Sequence, residues 1–268
     1  MPTDRNVLPR SSRRAVAPVS LAALFALVTF TAACGTDKAA GPLHPTGTQG
    51  RVRLVNLITD TTRGRVNAIL ERLPFGVNLT YTQSAPATLA APNTANYAAV
   101  LTGDRTLELK RTADTTVVVA TFSVNLGEGV DRSVYAIGGA GGTPITSFAT
   151  TDTNPAAAAT QVRLRLVNLS PTAGAVDVFL TAVGADLAAA TPTAANLAYQ
   201  GVSNYFTVAP GTYQLRAVPA GTAPASRATS VSITLASLAL GGGTGRTLVA
   251  ADNNVGGAPL RFFVLTDR

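Results

Sequence analysis

The chain has 268 residues, of which 46% are hydrophobic, 13% charged and 6% aromatic, with a formal net charge of +7. That length fits one or two domains at roughly 150 residues each, and so apolar a composition excludes wholesale disorder. A single Cys and a single His leave no basis within one chain for a Cys/His zinc site, a Cys–His nucleophile pair or a disulfide framework.

The first element in chain order is a targeting segment. Arg5, Arg10, Arg13 and Arg14 precede an uncharged, mostly apolar stretch from Ala15 to Ala33, which runs into Thr31-Ala32-Ala33-Cys34. A basic region, an apolar region and small residues before a cut site make a secretory signal. The lone Cys placed just after the small residues resembles a bacterial lipoprotein signal, so residues 1–33 are expected to be removed and Cys34 to be lipidated. Pro18 and the Ala, Ser and Thr residues leave the stretch weakly hydrophobic for an uncleaved span of roughly 30 Å. Residues 34–50, which contain His44, read as a flexible tether. Loss of residues 1–33 lowers the net charge to +4. No Lys/Arg cluster with interleaved aromatics remains, so nucleic acid is not an expected partner.

The rest of the chain repeats itself. Arg51-Val52-Arg53-Leu54-Val55-Asn56-Leu57 returns as Arg163-Leu164-Arg165-Leu166-Val167-Asn168-Leu169. Arg65-Val66-Asn67-Ala68 is echoed by Ala175-Val176-Asp177-Val178, Asn96-Tyr97 by Asn204-Tyr205, and Asp131–Ala136 loosely by Gly245–Ala250. These matches in one order predict two copies of a domain, at 51–150 and 162–268, joined by a linker at 151–161. Each copy is long enough to bury its own core.

Within the copies, Val52 and Leu54 alternate with Arg51 and Arg53, as Leu164 and Leu166 do with Arg163 and Arg165, which predicts strands with one core face and one water face. Further strands are expected at 66–70, 106–110, 115–124, 132–137, 175–181, 212–218, 228–235, 246–250 and 260–266. The run Val117-Val118-Val119 suggests burial on both faces. Ala-rich stretches at 85–99 and 185–200 fit a helical turn or a long loop, because Pro86, Pro92 and Pro192 oppose long helices. Short strands at this spacing predict an all-β chain of two tandem Ig-like antiparallel β-sandwiches.

The segment 162–171, Ala175-Val176-Asp177-Val178-Phe179, Pro210-Gly211-Thr212-Tyr213 and the closing Pro259–Arg268 together resemble the DUF4397 domain. The resemblance spans about residues 50–268 and implies tandem extracytoplasmic bacterial domains, often on lipoproteins, with no assigned activity. Where that family carries His-Ala-Ser-Pro after its first strand, this chain has Asn168-Leu169-Ser170-Pro171 and Asn56-Leu57-Ile58-Thr59, and Asn67 stands opposite Asp177.

Catalytic chemistry finds little to work with. His44 sits in the tether, so a Ser-His-Asp triad has no well-placed base. The acids are scattered, and Asp104, Asp114, Asp131 and Asp252 read as turn residues rather than a hydrolytic pair. The runs Gly138–Gly142 and Gly241–Gly245 lack the Lys of a P-loop and read as hairpin loops. Asp252-Asn253-Asn254 lacks the spacing of a calcium loop. No catalytic residue, metal site or cofactor is expected. Arg51, Arg53, Arg163 and Arg165 repeat in both copies and are the candidate surface binding residues, either as a solvated or edge-protecting face or as a basic ledge. The sequence therefore implies a non-catalytic, lipid-anchored, extracytoplasmic envelope protein, on the outer membrane where the cell has one. It would act as a structural or interaction module, with envelope polysaccharide or a protein as the alternative ligand, and hydrolysis as the least favoured reading.

Overall fold

The computed structural model describes residues 47–86 and 96–267. The signal segment, Cys34, His44 and most of the Ala-rich stretch at 85–99 lie outside them. The described residues belong to one compact unit whose regular elements are strands apart from two single 3-10 turns, Ala140–Gly142 and Pro224–Ser226.

The first copy contains β1 (Gln49–Ile58), β2 (Val66–Leu70), β3 (Leu73–Leu79), β4 (Ser84–Ala85), β5 (Ala98–Leu101), β6 (Gly103–Arg111), β7 (Asp114–Leu126), β8 (Asp131–Gly138) and β9 (Ile145–Asp152). The second contains β10 (Val162–Leu169), β11 (Val176–Ala182), β12 (Ala194–Leu197), β13 (Gly201–Val202), β14 (Phe206–Val208), β15 (Gly211–Pro219), β16 (Ile233–Leu240), β17 (Thr244–Ala251) and β18 (Arg261–Thr266). Nine strands follow nine, and the pairing repeats strand for strand. One sheet, β4-β1-β8-β9 with β5 also on β1, recurs as β13-β10-β17-β18 with β14 on β10. The other, β3-β2-β6-β7, recurs as β12-β11-β15-β16.

Three departures from the expected pattern matter. The sheets are antiparallel except that β1 pairs with β8, and β10 with β17, in parallel. Parallel neighbours need a long crossover, and here the whole of the other sheet lies between the two strands in sequence. The connection between the copies also begins later than the expected residue 151, because β9 runs on to Asp152, while β1 starts two residues inside the expected tether. In the second copy the strand expected at 228–235 lies at Ile233–Leu240.

The inward faces follow the alternation. Val52, Leu54 and Ile58 pack with Val66, Ala68, Leu107 and Leu109 in one core. Leu164 and Leu166 pack with Val176, Val178, Leu215 and Ala217 in the other. The opposite face of the β1 sheet does not meet water. Val55, Leu57, Tyr135 and Ile137 pack against Val167, Leu169, Val249, Ala251 and Leu265 in a third core shared by the two copies. The β1 and β10 sheets thus stack face to face as the two middle layers of four, each covered on both sides, as reading alternation alone would not suggest. The reverse holds for Val117 and Val118, which are 39% and 48% exposed. They lie where β7, a sheet edge, bulges away from β6.

Asn56 and Asn168, both fully buried, fix each copy internally. Asn56 Nδ2 donates to Gly64 O (2.7 Å) and Leu79 O (3.0 Å), while its Oδ1 accepts from Ile58 N (3.1 Å). Asn168 makes the same three bonds with Gly174, Leu197 and Ser170. A side chain that both donates and accepts can thus close a turn and hold a strand end without leaving a buried polar atom unpaired.

Candidate functional site

The repeated arginines are the place to begin, and two of them are not where the alternation puts them. Arg53 and Arg165 are 2% and 1% exposed; they are interface residues, which corrects their assignment to a surface. Arg53 on β1 reaches across to the second copy. Its Nη2 donates to Asp267 Oδ1 (2.9 Å) and its Nη1 to Thr266 O (2.8 Å), while Nε and Nη2 also reach Ser133 Oγ. Arg165 on β10 returns the contact. Its Nη2 donates to Asp152 Oδ1, its Nη1 points at Thr151 O (3.4 Å), and its Nε donates to Thr247 Oγ1 (2.9 Å). Each copy therefore supplies an Arg from its first strand and an Asp from the end of its last, and the two pairs are exchanged.

Hydroxyl groups complete the network. Asp152 accepts from Tyr97 (2.7 Å), Ser133 and Thr150 (2.7 Å), and Asp267 accepts from Thr247 (2.7 Å). Arg53 stacks over Tyr97 at 4.5 Å and Arg165 over Tyr205 at 5.1 Å, as cations on aromatic faces. Tyr205 O–H donates to Asn154 at 3.2 Å. Burial opposes the charge on both guanidiniums, yet both are held above the ordinary arginine value. Tyr97 and Asp267 do this for Arg53, and Asp152 and Tyr135 for Arg165. Two buried cations facing two buried anions leave the interface neutral, the condition under which buried charge is tolerated. The Tyr135 hydroxyl, between the two arginines in the electrostatic sense, is the exception: it is buried with no hydrogen-bond partner.

Arg51 and Arg163 behave differently. Arg51, with a half-exposed side chain, forms a bidentate pair with Asp131, its register partner on β8. Arg163 faces Gly245 in the matching register and is partly buried, with an unpartnered Nε. Of the four arginines, only these two reach the surface at all, so no common basic ledge forms.

Sequence reasoning missed Asp152 and Asp267, although a signal was present. Phe148-Ala149-Thr150-Thr151-Asp152 and Phe263-Val264-Leu265-Thr266-Asp267 share a Phe, a Thr and an Asp in the same spacing. Both phenylalanines pack on the shared core, and both Thr-Asp pairs receive the other copy's arginine.

The other acids are engaged locally. Asp131 heads β8 rather than a turn, and Asn154 Nδ2 donates to it at 2.9 Å. Asp177 accepts from the backbone of Asn196 (2.8 Å) and Gly221 (3.0 Å). Its counterpart Asn67 needs only its amide oxygen to hold Asn78 N at 2.8 Å. Asp252 closes a turn through Thr172 (2.7 Å) and Gly257 N (2.8 Å). Asp114 and Asp104 pair with Thr116 and Asn125. Among the described residues no group of three His, Cys, Asp or Glu could hold a metal ion, and no helix is long and apolar enough to cross a membrane. The run Gly138–Gly142 is a hairpin loop between β8 and β9. Gly138 there has φ 94°, and a Cβ would lie 2.4 Å from Pro144 O.

Both copies also carry a groove at the same place, beside the strand that crosses from one sheet to the other. In the first copy it holds about 460 Å³ between Leu79 and Ser84 on one side and Val264 and Thr266 of β18 on the other. In the second it holds about 570 Å³ between β12 and the β13–β14 segment. Both volumes lie in the usual range for small-ligand sites.

Fold and interface together define a tandem β-sandwich protein whose two copies are fused through a charged, buried seam. A family model described as a domain of unknown function, DUF4397, matches residues 50–179 and 181–268, and the chain belongs to that family. The matched segments divide inside β11, whereas the strand repeat divides between β9 and β10. No curated protein matches the chain. Among solved structures, a family 26 carbohydrate-binding module of Eubacterium rectale Amy13K, in complex with maltoheptaose, is 8% identical. That match covers 81% of this chain and 97% of that one with a TM-score of 0.23, and at that score the likeness carries no argument.

Proposed function

We propose that this chain is a non-catalytic, lipid-anchored protein of the cell envelope, serving as a rigid structural or interaction module. The observation that carries this reading is the exchanged Arg–Asp seam. It joins the copies into one body and commits the buried carboxylates Asp152 and Asp267 to holding it. Asp131, Asp177 and Asp252 are likewise bonded to neighbouring groups, which favours support over acid–base chemistry. The segment ending at Cys34 supports the anchor, since two or three acyl chains at roughly 0.8 kcal/mol per buried CH₂ hold a protein durably on a membrane. Gly35 in place of an inner-membrane-retaining Asp favours the outer membrane, where the cell has one.

The test is maturation in the native host with radiolabelled palmitate. Wild type is expected to be cleaved, labelled and recovered with membranes, and Cys34→Ala to stay full length and unlabelled. Normal cleavage and membrane recovery of Cys34→Ala would overturn the anchor.

A further inference from the structure

The repeated Asn96-Tyr97 and Asn204-Tyr205 dipeptides are only half explained by the seam. In each copy the tyrosine lies beneath the buried arginine, whereas the asparagine lines the groove. Neither asparagine side chain makes a hydrogen bond within the protein. We propose that the groove of the second copy, between β12 and the β13–β14 segment, binds an uncharged, hydroxyl-rich ligand: a neutral polysaccharide chain.

The lining sets the ligand class. None of the residues around this groove is acidic or basic, so a charged polymer would find no counter-charge there. Asn196 and Asn204 stand exposed with free carboxamides, beside the hydroxyls of Ser203 and Tyr205. Carboxamides and hydroxyls both donate and accept, the pattern that sugar hydroxyls themselves present. Val202, 40% exposed, and Phe206 offer apolar surface for the C–H face of a pyranose ring. Ser203 is fixed by donating to Asn204 O and accepting from Leu166 N, each at 2.8 Å. The wall is therefore preorganised, which lowers the ordering cost of binding. Tyr205 is pinned by Arg165 and Asn154, so the groove floor is held by the same seam that joins the copies.

The first copy carries the matching asparagine, Asn96, in its own groove, where Val77 on β3 is exposed. Residues 87–95, between Pro86 and Asn96, lie outside the described residues, so the proposal is made for the second copy. This inference goes beyond the scaffold reading and does not depend on processing at Cys34.

Affinity electrophoresis of the full chain through gels containing dextran, glucomannan or alginate tests it. The chain is expected to be retarded by a neutral polymer at low and high salt alike, and not by alginate. The double variant Asn196→Gly/Asn204→Ala should weaken that retardation about tenfold, the loss expected for one or two hydrogen bonds, with its unfolding midpoint nearly unchanged, because both residues are exposed and glycine accepts the left-handed backbone at position 196, φ 49°. Asn204→Gln, which keeps the carboxamide, should retain part of the retardation. Absence of retardation in every neutral gel, equal retardation of the double variant, or retardation by alginate alone that salt abolishes would each overturn the proposal. Capture of an extended uncharged peptide without neutral-polymer retardation would assign the groove to a protein partner and overturn it as well.

Discussion

The two copies share their skeleton and differ at their surfaces, and the division follows physical need. Asn56 and Asn168 make the same three bonds, because each copy must close the same turn around a buried strand. Arg53 and Arg165 are likewise retained, because each must neutralise an Asp supplied by the other copy. Where one copy can act for both, the positions diverge. Arg51 has Asp131 opposite it while Arg163 has Gly245, and Tyr135 of β8 corresponds to Val249 of β17 within the shared core. Asp152 gathers three hydroxyls, Arg165 and, at 3.8 Å, Arg53 as well, while Asp267 receives one hydroxyl and Arg53 alone. The seam thus balances two cations against two anions, while both its ion pairs and its hydroxyl support converge on Asp152.

The sharpest way to break this equivalence is to remove one cation at a time. Arg53→Ala and Arg165→Ala should each lower the unfolding free energy by about 3–5 kcal/mol, because each leaves two buried carboxylates facing a single buried cation. Arg163→Ala, which loses no ion pair, should cost under about 1 kcal/mol. Urea unfolding monitored by tyrosine fluorescence measures all three. A neutral result at Arg165 with a large one at Arg53 would show that the copies do not share the charge burden.

The unpartnered hydroxyl of Tyr135 sets a smaller contrast with Val249. Tyr135→Phe should leave stability unchanged or raise it by about 1 kcal/mol, since it removes a buried polar atom that bonds to nothing. A loss above 1 kcal/mol in the same unfolding assay would mean that the hydroxyl has a partner in solution.

Alkaline pH probes the aromatic supports of the two arginines. Burial raises Tyr205 from 10.0 to about 12, and raises Tyr97 further. A phenol whose folded value lies above its unfolded one binds more protons when folded, so stability should hold below pH 10 and fall between about pH 10 and 12. Tyr205→Phe should flatten that decline, less than Tyr97→Phe does, because Tyr205 is the more exposed. A stability profile flat across this window in wild type would contradict the burial of both rings.

Much of this architecture was legible in the sequence, and the failures have identifiable causes. Strands such as Val66–Leu70 and Asp131–Gly138 are built on Val, Leu, Ile or Tyr, and they lie at or within a residue of their expected positions. The repeat itself gave the two-copy organisation. What alternation could not tell is what the second face of β1 meets. Arg51 and Arg53 suggested water, yet Val55 and Leu57 lie on that same face, and a mixed charged and aliphatic face is what a neutralised seam requires. The strand Ile145–Asp152 escaped notice because Thr, Ser and Ala dominate it, and with it went Asp152, the residue on which most of the seam converges. Val117 and Val118 misled in the other direction, since valine is favoured in exposed edge strands for the shape of its side chain as well as for burial.

The exchange of Arg53 with Thr266 and Asp267 has a mechanical consequence. It ties the first strand of the folded body to the segment that follows its last, on the other copy. Force entering at Gln49 would act along β1, which is bound in parallel and in register to β8 over eight residues. Those bonds must then fail together in shear, because parallel strands loaded this way do not peel apart one pair at a time. The clamp from Arg53 adds the far copy to the same load path, so neither sandwich can open first without dragging on its neighbour. With the anchor proposed at Cys34, the point of attachment would also be the point of greatest resistance to pulling.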